Sequence, residues 1–433
     1  MRACILTWGC QLNHHKSEEI AGVLAEAGYT IVDRPEDADV IILNTCMVRQ
    51  KSEDKVISRV AELARLKRIR PVLIGVGGCM PQGRRTEIFS LCPQADFAFG
   101  TTGLRHLPEI IAQAQRGERP AFLPEPLELE RLPALRKSPF QAYVTIAEGC
   151  SHSCAYCVIP NVRGPLRSRP MPEILAEVRE LAEKGYLEVT LLGQNVDAYG
   201  LDLRDGTNFA RLLWEIGKIP IPRVRFTSSH PAHMTEEAIA AVAEVENVCE
   251  HVHLAVQSGS DRILRAMRRG YTRDQFLRLV ERIKKAIPNV NITTDVIVGF
   301  PGEEEEDFAA TLSLIEEVRF GTVYVAAYSP RPNTPAEPLG DPIPKEEKAR
   351  RLQEVLNLTR KIALELHKER IGESVEVLVE EYIPEKGMVM GKTRDFRTVL
   401  APGGPDLVGK LVEVEVTAAT PAALLGGVKE RVA

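Results

Sequence analysis

Three cysteines in the string Cys150-Ser151-His152-Ser153-Cys154-Ala155-Tyr156-Cys157 are spaced C-x3-C-x2-C. A four-iron cluster normally takes four cysteine thiolates. One held by three has an iron left open to chelate a small molecule. A structural zinc site is the competing use of such a loop, and His152 offers it a fourth ligand. Zinc sites gather their ligands in paired, short-spaced groups, and no second C-x2-C or H-x3-H lies nearby. The spacing therefore favours iron-sulfur chemistry.

Six further cysteines stand at positions 4, 10, 46, 79, 92 and 249. Three of them repeat one placement. Cys10, Cys46 and Cys79, in WGCQLN, NTCMVRQ and GGCMPQ, each close a short apolar run that reads as a strand. In an open parallel α/β sheet, ligands bind outside the carboxyl ends of the strands. Three thiolates distant in sequence are thus expected to converge on a second cluster. Cys4, Cys92 and Cys249 lack this placement and read as buried structural thiols.

The elements that carry these residues follow from the pattern of apolar runs. Residues 1–118 alternate strand and helix as βαβαβ, the signature of a doubly wound parallel sheet. Residues 119–139 are Pro-rich, of mixed charge and without a sustained period, as expected of a linker. Residues 140–370 repeat strand and amphipathic helix six times, which predicts a (βα)6 partial TIM barrel. Active residues of such barrels lie at the carboxyl ends of the strands, where the Cys150–Cys157 loop falls.

The other strand ends carry side chains suited to a polar cofactor. These are Gln194, Asn195 and Asp197 after the second strand, Ser229 after the third, Gln257 after the fourth, and Asp295 within the fifth. His251 and His253 alternate on one face of the fourth strand and read as core histidines. A long helix then carries an apolar stripe through Leu352, Val355, Leu356, Thr359, Ile362 and Leu366, which predicts that it packs back on the barrel.

Residues 371–433 switch to period two between Gly and Pro turns, which reads as a small antiparallel β-barrel. Lys392, Arg394 and Arg397, with Phe396 among them, could meet phosphate and stack a base. The net charge of −5 argues against a generally basic nucleic-acid coat and leaves room for such local patches. RLKRIR, RRGYTR and KARR are also basic, and each alone reads as a solvated helix face. No run of 18 apolar residues and no cleavage site suggest a cytoplasmic protein without a membrane anchor, in which the cysteines serve metals rather than disulfides.

The C-x3-C-x2-C loop, with Tyr156 before its last cysteine, resembles the radical S-adenosylmethionine enzymes. Joined to a three-cysteine α/β domain and a small terminal barrel, the whole chain resembles the methylthiotransferases, whose last module is the TRAM domain. The strings NTCMVRQ, GCSHSCAYCVIPNVRG, LLGQNVDAYG, HLAVQSGSDRILRAMRRGYT, TTDVIVGFPGE and YSPRPNTPA carry the resemblance. Ala255 in HLAVQ departs from the commoner HLPVQ, away from any ligand.

The resemblance implies two 4Fe-4S clusters. Cys150, Cys154 and Cys157 would hold the radical cluster, with Tyr156 near the adenine of S-adenosylmethionine, and Cys10, Cys46 and Cys79 the auxiliary one. It implies methylthiolation at carbon 2 of N(6)-dimethylallyladenosine in the tRNA anticodon stem-loop by a monomer that draws electrons from a reductant such as flavodoxin or ferredoxin. Sister activities on threonylcarbamoyladenosine in tRNA or on a ribosomal-protein aspartate are the alternatives. A non-catalytic metal-containing RNA-binding protein is a more distant one.

Overall fold

The computed structural model describes residues 1–126, 129 and 131–431. Part of the expected linker (127, 128 and 130) and of the terminal segment (432 and 433) lies outside the described residues. Six strands build the first sheet: β1 (Arg2–Thr7), β2 (Thr30–Ile31), β3 (Val40–Thr45), β4 (Leu73–Gly78), β5 (Phe97–Phe99) and β6 (Ala121–Phe122). Their order is β2-β1-β3-β4-β5-β6, parallel throughout. The sequence suggests three of these strands. The added β2, β5 and β6 are two or three residues long, too short to show a period. An apolar cluster covers each face of the sheet.

The central unit has six parallel strands in two groups of three. β7 (Gln141–Thr145), β10 (Glu188–Leu192) and β11 (Arg223–Phe226) form one, and β12 (His251–His253), β13 (Asn291–Val298) and β14 (Thr322–Ala327) the other. A small hairpin, β8 (Ala147–Glu148) with β9 (Arg167–Ser168), flanks the cysteine loop. Parallel bridges Val224–Val248 and Ser229–Leu254 join the two groups into one curved half-barrel. Val144, Val189, Leu191, Val224, Val252 and Ile292 pack outward in the largest core of the protein. Polar residues such as Thr190, Arg225, His251 and Thr293 are buried as well. Both His251 Nε2 and His253 Nδ1 lie 3.0 Å from Thr293 Oγ1, so the two histidines share one face and are hydrogen-bonded there.

The helix Lys345–Lys368 lays Val355 and Ile362 into that core, as its stripe predicts. Glu346 and Glu347 in its first turn and His367 and Lys368 in its last complement the helix dipole. Five strands then close a barrel in the order β15-β16-β17-β19-β18: β15 (Ser374–Ile383), β16 (Met388–Thr393), β17 (Thr398–Pro402), β18 (Leu411–Ala419) and β19 (Leu424–Arg431). No helix among the described residues is long and apolar enough to cross a membrane.

Candidate active site: two cysteine triads at one junction

The radical-type triad hangs on a fixed loop. Gly149 has φ +79°, and a Cβ there would lie 1.9 Å from Pro165 O, so only glycine lets the chain turn into Cys150. Gln194 Oε1 accepts from the Gly149 N–H. Cys150 N donates to Gly164 O at 3.0 Å, Ala155 N to Met267 O at 2.9 Å and Cys157 N to Cys154 O at 3.1 Å. Arg269, buried, donates to Cys154 Sγ at 3.3 Å. Burial pushes the Cys150 thiol up and the Cys157 thiol up to about 12, so loading a cluster here expels protons.

The second triad forms at the strand ends of the first sheet. Cys10 caps the helix Gln11–Glu26 after β1, Cys46 follows β3, and Cys79 opens the short helix after β4. Gly9 has φ +125°, and a Cβ there would lie 2.7 Å from Cys46 Cβ, which shows how close these two turns approach. Burial pushes Cys46 up to about 12, and Cys79 and Cys10 add to the shift as neighbouring sulfurs. Burial also raises Cys79, opposed by the Arg163 guanidinium. Cys4, Cys92 and Cys249 are buried elsewhere.

Among the described residues no three His, Cys, Asp or Glu side chains are close enough to share a single metal ion. A four-iron cluster places each thiolate on a different iron and needs wider spacing. His152 stacks on His230, with ring centroids 4.0 Å apart, and lies 4.7 Å from His233. Three thiols on a rigid loop, with an arginine beside them, fit a cluster with one open iron.

Two cavities adjoin the loop. One, of about 380 Å³, is lined by Cys150, His152, Asn195 and His233. The other, of about 170 Å³, is lined by Tyr156, Cys157, Gln257, Asp295 and Arg331. Asn195 Oδ1 and Gln257 Oε1 are buried without a hydrogen-bond partner among the described residues, as acceptors meant for a ligand would be. Gln257 has φ +73°, a strained conformation that aims this side chain.

The remaining expected contacts do not line these cavities. Gln194 serves the loop backbone. Asp197 accepts from Ser229 Oγ at 2.9 Å and His230 N at 3.1 Å, and burial raises its carboxyl to about 7. The two arginines at the triads were missed in the sequence. Arg269 lies in the basic string RRGYTR, which reads as a solvated helix face, and the other, Arg163, in PNVRG.

Arg394 and Arg397, expected to meet RNA, are engaged in contacts within the protein. Arg394 Nη2 donates to Glu250 Oε1 at 2.8 Å and to the Glu246 and Val248 carbonyls, while Arg397 Nε is buried on Asp395 Oδ2 at 2.7 Å. Phe396 stacks on His251 at 4.8 Å. Arg394 and Phe396 thus dock the terminal barrel on the central one, while Arg397 is held within the terminal barrel. Lys392 and Phe396 also line a cavity of about 340 Å³ with Gln11, His14, Lys137 and Tyr143, where all three units meet one helical turn from Cys10.

A cysteine loop at the first strand end of a parallel half-barrel defines a radical S-adenosylmethionine protein. Residues 144–315 match the Radical SAM superfamily, residues 2–100 the uncharacterized protein family UPF0004, and residues 368–429 the TRAM domain. The structure is similar to that of a radical S-adenosylmethionine methyltransferase, TsrM, from Kitasatospora setae, with TM-score 0.57 and 14% identity over 78% of this chain and 77% of that one.

The chain belongs to the tRNA-2-methylthio-N(6)-dimethylallyladenosine synthase family. It is 46% identical to the synthase of Carboxydothermus hydrogenoformans over 95% of this chain and 96% of that one. It is 44% identical to that of Pelotomaculum thermopropionicum over 98% and 96%.

Proposed function

We propose that this enzyme adds a methylthio group to carbon 2 of N(6)-dimethylallyladenosine beside the anticodon of tRNA. The observation that carries the reading is that the two cysteine triads lie where the sheet meets the half-barrel, with Cys79 packed against Val158 and Val162 just past the Cys150–Cys157 loop. Cys150, Cys154 and Cys157 would hold a 4Fe-4S cluster with S-adenosylmethionine on its open iron, and Cys10, Cys46 and Cys79 a second cluster. When bound, these groups supply the radical that opens an unactivated carbon and the sulfur that is inserted there.

The protein's own part is positioning. Asn195 and Gln257 offer unpaired acceptors at the loop, and Tyr156 packs beside Met267, Phe300 and Tyr328. Residues 1–118 carry the second triad, 140–370 the first, and 371–433 the RNA contact, in which Lys392 and Phe396 face the three-way cavity. The target base must leave the loop stack to enter, which costs little in a single-stranded anticodon loop. A flavodoxin or ferredoxin would supply electrons to the monomer.

The test is anaerobic reconstitution with an iron assay, followed by turnover on tRNA and nucleoside mass spectrometry. About eight irons per chain are expected. Cys154→Ala should abolish S-adenosylmethionine cleavage, whereas Cys46→Ala should retain cleavage and lose methylthiolation. Methylthio product from either variant, or product on threonylcarbamoyladenosine tRNA instead, would sink the reading.

A further inference from the structure

One side chain reaches from the segment after the first cysteine loop to the other triad. Arg163 closes the short helix that follows the Cys150–Cys157 loop, yet its guanidinium sits at the other triad. It is 2% exposed. Nη2 donates to Asn13 Oδ1 at 2.8 Å. Asn13 Nδ2 in turn donates to Trp8 O at 2.8 Å and Thr45 O at 3.0 Å, the backbone just before Cys10 and Cys46. The guanidinium charge also acts on the Cys79 thiol, opposing the rise that burial imposes on it.

Nη1 is left over. It is buried 3.6 Å from Glu148 Oε2, and it has no hydrogen-bond acceptor among the described residues. An unmade hydrogen bond from a buried charged donor is costly, so such a group marks a place where an acceptor arrives. The sulfur atoms of a cluster on Cys10, Cys46 and Cys79 are acceptors of that kind.

We propose that Arg163 is a positioning residue for the auxiliary cluster, its buried guanidinium, with one nitrogen free to donate, holding the reduction potential of that cluster up. The inference rests on the two-cluster reading above. A donated N–H and a buried positive charge both favour the more negative, reduced state of a cluster, and outer contacts of this sort tune potentials. Because Arg163 is carried by the radical-cluster loop, the same residue ties the geometry of one triad to the electrostatics of the other.

The experiment uses the full chain with Cys150, Cys154 and Cys157 all replaced by Ala, so that only the auxiliary cluster reports. Iron content and a redox titration followed by electron paramagnetic resonance are compared with and without Arg163→Met. The background should hold about four irons. Arg163→Met should lower the reduced-to-oxidised ratio at a fixed poise about tenfold, equivalent to 59 mV for a one-electron couple.

Arg163→Lys, which keeps the charge but not the fork to Asn13, should fall between. If Arg163→Met cannot retain its iron, a shift in the same direction in Arg163→Lys supports the proposal. Unshifted titrations in a background that holds iron overturn the role of Arg163 alone. A background that binds no iron overturns the two-cluster reading, and the proposal with it.

Discussion

Asp197 holds its proton to about pH 7, because burial outweighs the hydrogen bonds from Ser229 and His230 that favour its charge. The ordinary carboxyl titrates near 3.8. Between these values the folded chain binds more protons than the unfolded one at this residue. Its contribution to stability is therefore complete on the acid side and is lost as pH rises through that window. The slope is at most about 1.4 kcal/mol per pH unit. His230 acts in the opposite sense: burial drops its pKa to about 2, so its contribution is present above the ordinary histidine value and fades as pH falls. The parent profile sums both, and the difference between parent and Asp197→Asn isolates the carboxyl. Denaturant melts at pH 5 and pH 7.5 should show the variant gaining on the parent as pH rises. Parallel profiles would mean that Asp197 titrates outside this range.

Strand β4 shows how an element is shaped to deliver a ligand. Gly75 and Gly77 lie under the rings of Phe97 and Phe99 on β5, and a Cβ at Gly77 would lie 2.0 Å from Phe99. The strand ends one residue later at Gly78, and Cys79 follows. Gly77→Ala should cost about 1–3 kcal/mol as overpacking and should also reduce iron retention, because relief of the clash moves the strand end. Equal stability in denaturant and full iron retention would refute this. The glycines are visible in LIGVGGC, but their purpose is not, since the rings they meet belong to another strand. The same limit explains what else the sequence concealed. The two cysteine triads were legible as candidates, one from its C-x3-C-x2-C spacing and the other from a repeated strand-end placement, and the long strands because their apolar runs are sustained. The helix Gln11–Glu26 was legible only in part. It buries Lys16, Glu18 and Glu19 between sheet and half-barrel, where Lys16 Nζ meets Glu148 at 2.6 Å and Glu19 at 2.8 Å. A helix whose charged residues are inside defeats an apolar stripe as a guide, and its partner Glu148 lies far along the chain.

At the scale of the molecule, three units are locked by buried arginines. Arg331 of the half-barrel meets Glu53 of the first unit at 2.7 Å, and Arg163 meets Asn13. Arg223 and Arg225 on β11 reach the terminal barrel through the carbonyls of Glu376, Lys392, Thr393 and Arg394, and Asn291 joins them at Asp395 O. Arg225 Nε also holds the buried Glu188 at 2.7 Å. Removing one partner of a buried pair costs about 3–5 kcal/mol, mostly from the charge left behind. Arg225→Ala should therefore loosen the docking of the terminal barrel without touching either triad. The expected signs are a separate early unfolding transition, faster proteolysis between the helix Lys345–Lys368 and β15, and weaker tRNA binding at unchanged iron content. Weaker phosphate contact should also flatten the dependence of binding on salt, since each lost contact removes a released counterion. Arg225→Ala with Glu188→Gln should recover part of the stability, because the stranded carboxylate is gone. A single transition at the parent midpoint in Arg225→Ala would place the hold on the terminal barrel in Arg223 and Arg394 instead.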